Sequence, residues 1–202
     1  MIRPLNAYDF LYMLTAAQWT VALSLVAILG GGVIGLGVML ARLAHWRGLR
    51  WIALAYIQFF QATPLLMQLF LVFFGGTLIG VRFDAWTAAA IAFCLHASAF
   101  LGDIWHGSVL AVPTSQWEAA RSLALSWTAT LRLVIAPQAA RIAVAPTVGF
   151  LVQLIKSTSL ASIIGFVEIT QTGGMIANAT FQPSLVYSFV ALFYFALCFP
   201  LS

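Results

Sequence analysis

The segment VPTSQWEAARSLALSWTATLRLVIAP (residues 112–137) decides how the chain is read, because it is the longest polar stretch in a sequence otherwise built for lipid. It carries Glu118, Arg121 and Arg132, groups that belong in water. Ser115 and Glu118 have the S-x-x-E spacing of a capping box, in which the hydroxyl accepts from a backbone N–H three residues on and the carboxylate reaches back; a short helix is expected to start there. Ala119, Ala120 and Ala124 then fall at helical spacing, so one side of that helix has little bulk and a partner protein can approach its backbone closely. A second short helix is expected after Ser126, stopping before Pro137.

Outside this segment the composition is that of a membrane protein. The chain has 202 residues, 63% hydrophobic and 7% charged, with a mean hydropathy of +1.03, where a soluble domain would carry about a quarter charged residues. The net charge of +4 does not point to nucleic acid, since the basic residues are dispersed in membrane-proximal loops without interleaved aromatics. Cys94 and Cys198 both sit in apolar runs and read as small buried hydrophobes, not as a disulfide or metal framework. The amino terminus lacks the order of regions of a cleaved signal peptide.

Apolar runs long enough to cross about 30 Å of hydrocarbon fall at about residues 19–41, 54–79, 85–103, 142–167 and 184–202, uncharged except for Asp103 at the end of the third and Lys156 within the fourth. The fold class is therefore all-α and polytopic: one domain over residues 1–202, five transmembrane helices, and the 112–137 segment between the third and fourth. Gly31-x-x-x-Gly35 in the first span has the spacing that lets a neighbouring helix pack closely. A loop through Thr172-Gly173-Gly174 and Asn178 is expected before the fifth span. Arg42, Arg47, Arg50, Arg121, Arg132 and Arg141 fall on one side and only Arg3 and Arg82 on the other, which puts the amino terminus outside and the carboxyl terminus and the 112–137 segment in the cytoplasm.

Polar groups inside the spans are the default candidates for a solute path. Gln58, Gln61, Thr63 and Gln68 flank Pro64, whose missing N–H frees a carbonyl in the preceding turn. Gln153, Lys156, Thr158 and Ser159 interrupt the fourth span, and Lys156 is the only lysine; its ammonium must snorkel, pair or face an aqueous cavity. Glu168 is expected near the outer end of that span, either meeting a solute ammonium or a solute-delivering protein, or standing as a solvated carboxylate at a helix end. His96 and His106 stand alone, without an H-E-x-x-H pair or a cysteine cluster, and no metal site is read.

Three segments resemble the membrane permease subunits of bacterial ABC importers, specifically the polar amino acid uptake systems. The family pattern is EAA, three residues, Gly, nine residues, Ile-x-Leu-Pro. Here Glu118-Ala119-Ala120 and Pro137 match at that spacing, with Ala124, Val134 and Ala136 in the other places. Phe59-Phe60-Gln61-Ala62-Thr63-Pro64-Leu65-Leu66 is similar to an aromatic pair followed by Arg-Gly-Thr-Pro-Leu-Leu, with Gln61 replacing the arginine. Leu154-Ile155-Lys156-Ser157-Thr158-Ser159-Leu160-Ala161-Ser162 is similar to Leu-x-Lys-Asp-Thr-Ser-Leu-Ala-Ser, with Ser157 replacing the aspartate, and Asp103 resembles a family acidic position.

The resemblance implies a bacterial inner-membrane subunit with no catalytic residues and no cofactor of its own. ATP and Mg would be bound by a separate ATPase that docks on Glu118, Ala119, Ala120, Ala124 and Pro137. The absence of a G-x-x-x-x-G-K-[S/T] loop fits that division. Further partners are a second permease chain, identical or homologous, and a periplasmic or lipid-anchored solute-binding protein; no nucleic acid is implied. The solute would be a small polar amino acid or related zwitterion, met by Gln61, Thr63, Lys156, Thr158, Ser159 and Glu168. Two rival readings are a passive pore or structural subunit, which leaves the EAA-to-Pro spacing without a reason, and an intramembrane hydrolase using His96 with Ser98 or His106 with Ser108. Residues two apart on a helix point in different directions, and neither serine has a G-x-S-x-G context.

Overall fold

The computed structural model describes residues 4–78 and 80–201. Arg3, Ile79 and Ser202, which entered the charge count and the bounds of the second and fifth spans, lie outside the described residues. Every regular element described is helical.

Helix α1 (Ala7–Leu43) has 37 residues, about 55 Å at 1.5 Å per residue and well beyond one hydrocarbon core. The span expected at 19–41 is thus only its second part. The helix starts twelve residues earlier because Asn6 and Asp9 close a capping box there. Helix α4 (Ala85–Leu110) starts on Asp84, whose carboxylate accepts from the backbone of Trp86 and Thr87. The Thr87 hydroxyl also bonds it, and together these donors hold the Asp84 carboxyl below its ordinary range. Helix α4 runs about two turns past the expected end at 103.

Helices α1 and α4 run parallel and nearly touch. Trp19 stacks edge-on to Trp86, a Cβ on Gly31 would lie 2.5 Å from Ala97 Cβ, and one on Gly35 would lie 3.0 Å from Ser98 O. The Gly31-x-x-x-Gly35 spacing is therefore a close-packing surface, and a side chain at either position would push the helices apart.

Parallel neighbours require the chain to cross back between them. Leu43 packs with Val109 at one end and Trp86 with Trp19 at the other, so the segment between makes that return. It does so as α2 (Arg47–Ala62) and α3 (Leu65–Leu78), bent by 102° at Thr63 and Pro64, and not as the single span expected at 54–79. Neither half, at 16 and 14 residues, is long enough to cross alone. With this broken pair counted once, the four long apolar helices become five crossings.

After α5 (Thr114–Ser122) and α6 (Trp127–Ala129), a π turn (Thr130–Ile135) leads without interruption into α7 (Ala136–Ser157). The fourth span consequently begins well before residue 142. It ends in a 3-10 turn, Thr158–Ile164. Helix α7 is antiparallel to α4: Phe150 stacks on Phe100 and Thr147 accepts from Trp105 Nε1.

The loop expected through Thr172-Gly173-Gly174 is instead helix α8 (Ile169–Thr180). Gly173 is not a breaker there but a contact point, where a Cβ would lie 2.8 Å from Val190 of α9 (Pro183–Cys198). Two cores result. Leu23, Ala27, Phe93 and Leu154 belong to the core around α1, α4 and α7, and Met13, Ile169, Ile176 and Val186 to the one that joins the start of α1 to α8 and α9.

Candidate coupling surface and pathway residues

Helix α5 starts one residue before the expected cap. Pro113 takes the N-cap position, its fixed φ already suited to it, and no side chain caps the end, so the Ser115–Glu118 box does not form. The helix closes with a complete Schellman motif: Leu125 N–H donates to Ala120 O and Ala124 N–H to Arg121 O. That motif needs a left-handed residue, and Ala124 supplies it at φ 55. Alanine in the family's glycine place thus keeps the bend, at a cost of about 1–2 kcal/mol.

The three alanines expected to share a bare surface do not. Ala119 and Ala124 are exposed, but Ala120 is only 2% exposed and packs inward. Glu118 and Arg121 face out, and so does Leu123, 75% exposed at the helix end. Sequence reasoning passed over Leu123; an apolar residue at a C-cap in an otherwise polar segment was the available signal.

This surface is braced from behind. Trp117, Leu131 and Val134 pack on Val109, Val112, Ile135 and Ala139, together with Met39 and Leu43 of α1. Gln138 Nε2 donates to Gln116 Oε1 at 3.2 Å, tying α5 to α7. Pro137 does not end a helix. It sits in the first turn of α7 just after the π turn, whose wider winding carries the chain past the missing donor.

At the α2–α3 break, Gln68 repairs what Pro64 leaves open. Its amide nitrogen lies 2.9 Å from Phe60 O, the carbonyl that loses its partner, and 3.0 Å from Thr63 O. Its oxygen lies 3.1 Å from His96 Nδ1. Gln61 donates to Asp103 Oδ2 at 3.2 Å, and the Thr63 hydroxyl donates to Phe59 O. In the fourth span, the hydroxyls of Thr158 and Ser159 donate to Ile155 O and Lys156 O. Lys156 itself is exposed at the end of α7. Among the described residues no hydrogen bond joins the Gln61–Thr63 group to the Lys156–Ser159 group; His96, on the same face of α4 as Phe100, lies between them, meeting Gln68 on one side and Phe150 on the other.

Glu168 is neither solvated nor open to a solute. It is 0% exposed and caps α8, accepting from Gln171 N–H at 2.9 Å. Its other oxygen accepts from the hydroxyls of Thr20 at 3.2 Å and Tyr194 at 3.1 Å, so one carboxylate ties α1, α8 and α9 together. The serine–histidine pairs do not form either. Ser98 is held by Tyr56 and Leu95 O, Ser108 donates to Ile104 O, and no group of metal-ligating side chains occurs among the described residues.

A parallel helix pair, a broken span and a braced polar segment between two apolar helices define a polytopic helical membrane protein. Residues 33–202 match the family described as "Binding-protein-dependent transport system inner membrane component", and the chain belongs to that family. It is 40% identical over 190 residues to a probable amino-acid ABC transporter permease protein, YckA, of Bacillus subtilis (strain 168), covering 94% of this chain and 84% of that one. It is 36% identical over 185 residues to the L-cystine transport system permease protein TcyB of the same strain, covering 91% and 79%. A solved structure titled as an amino acid ABC transporter with histidines superposes with a TM-score of 0.91 at 26% identity, covering 98% of this chain and 95% of that one.

Proposed function

We propose that the chain is the permease subunit of an ATP-driven importer for a polar amino acid or related small zwitterion. The observation that carries this reading is the exposed surface of α5, with Glu118, Ala119 and Leu123 facing out and Trp117 wedged against the ends of α1, α4 and α7. A push on such a surface is delivered to the membrane helices instead of being absorbed by a loop. ATP and Mg belong to the ATPase that docks there.

The pathway forms against a second permease chain. Along α7, Ala145, Pro146, Gly149, Gln153 and Lys156 recur at helical spacing and are all exposed, and a Cβ at Gly149 would meet nothing within 4 Å. A lysine facing lipid within a span costs up to about 3 kcal/mol, so this face is assigned to protein or water. Gln61, Thr63, Thr158 and Ser159 lie off that stripe, the three hydroxyls spent on backbone carbonyls, and we assign them to shaping the broken ends of the spans. Lys156 and Gln153 are the groups free to meet a zwitterion. The arginine distribution supports an orientation with α5 on the cytoplasmic side and the amino terminus outside, the side on which a solute-binding protein would dock.

The test is Glu118→Lys in the assembled transporter. Reversal of this charge is expected to lower solute uptake at least ten-fold while the permease remains in the membrane at its normal level. Undiminished uptake would remove α5 from the coupling role.

A further inference from the structure

We propose that the groove between α1, α4 and α7 binds one anionic phospholipid. The groove holds about 1190 Å³, and its walls are almost wholly apolar, with Leu29, Val33 and Leu36 on α1 and Ala140, Val144 and Val148 on α7. Leu29 and Val33 are largely uncovered, at 68% and 75% exposure. Among the lining residues the only charged one is Arg132, at the end next to the coupling segment, with Thr128 and Trp127 beside it.

The dimensions match one leaflet. From Ile28 to Leu40 on α1 the groove runs about 18 Å, and from Ala136 to Leu151 on α7 about 22 Å. Half a bilayer with its headgroup zone is about 20–22 Å. An occupant that is apolar along this length and meets a guanidinium at one end is a phospholipid with an anionic headgroup. Trp127 stands at that end, where indoles collect at the membrane surface.

A second copy of the chain is not the better occupant. The groove wall of α7 is turned away from the Ala145, Gly149, Gln153 and Lys156 stripe, so a copy seated on the stripe leaves the groove uncovered. A lipid seated there fills the space between α1 and α7 and places its headgroup against the π turn, bracing the coupling segment. The inference rests on the proposed orientation only for naming the leaflet as cytoplasmic; the binding test reads the same in either leaflet.

The assembled transporter would be purified in mild detergent after exchange into equal amounts of phosphatidylglycerol and phosphatidylcholine, and bound lipid read by native mass spectrometry. The wild type is expected to retain phosphatidylglycerol about five-fold over phosphatidylcholine. Arg132→Gln should erase that preference and Arg132→Lys should keep most of it. Ala140→Trp, at an exposed position that tolerates bulk, should lower retention of both lipids. Equal retention by the wild type, or a preference unchanged in Arg132→Gln, would overturn the proposal. So would efficient crosslinking between copies through a cysteine at Val33, which would show protein in the groove. Because uptake is not the readout, failure here leaves the transport reading untouched.

Discussion

The chain's two glutamates are placed in opposite ways. Glu168 is fully buried, spends both oxygens on Thr20, Tyr194 and Gln171, and fastens three helices together. Glu118 is exposed, and its carboxylate has no partner among the described residues. A buried carboxylate is tolerable only when its lone pairs are met, so the first site is a lock. An unpaired carboxylate on a braced helix is a group held out for something else. The difference teaches that the buried clasp and the proposed docking surface lie at separate places along α1, near Thr20 and near Leu43.

Substitutions at each place sharpen the contrast. The largest effect is expected at the lock. Glu168→Ala leaves the buried Thr20 hydroxyl, the half-buried Tyr194 hydroxyl and the first turn of α8 without this acceptor, and should lower stability by about 2–4 kcal/mol. Thermal unfolding of the detergent-solubilised complex reads this, and Glu168→Gln, which keeps an acceptor oxygen, should recover about half. An unchanged melting temperature in the alanine variant would mean that the clasp is not what joins α8 and α9 to α1.

Next comes the broken span. Gln68→Leu conserves the volume but strands Phe60 O and Thr63 O, at a cost of about 1–3 kcal/mol, and should reduce uptake more than membrane abundance. Equal loss of both would make Gln68 a folding residue only. The smallest effect is a gain. Ala124→Gly relieves the left-handed backbone of the Schellman motif and should stabilise the complex by about 1 kcal/mol, without altering the exposed surface. A loss of stability would show that the bend relaxes in solution.

The membrane class, the apolar helices long enough to cross and the polar segment were legible in the sequence because apolar length and charge asymmetry are one-dimensional signals. So was the role of Pro64, since a missing N–H names the carbonyl it frees. The partner of that carbonyl, Gln68, was visible only as a polar residue in the right region, because the 102° bend that brings it back is set by packing against α4. Gly173 read as a loop residue because close approach to Val190 and flexibility use the same amino acid. Glu168 was misread for a similar reason: its acceptors' partners, Thr20 and Tyr194, lie 148 and 26 residues away. Pro113 displaced Ser115 as the cap, an outcome the local spacing alone could not decide.

The most direct measurement is disulfide crosslinking in the assembled transporter, with single cysteines at Leu123, Ala119 and Ala120 set in turn against a cysteine scan of the ATPase surface. Leu123 and Ala119, which face out, should crosslink to the ATPase, whereas Ala120, buried against its own chain, should not. Crosslinks at Leu123 that shift with ATP would show that this surface carries the stroke. An ATPase that copurifies yet never crosslinks to Leu123 or Ala119 would contradict the account, because the docking surface would then lie elsewhere than on α5.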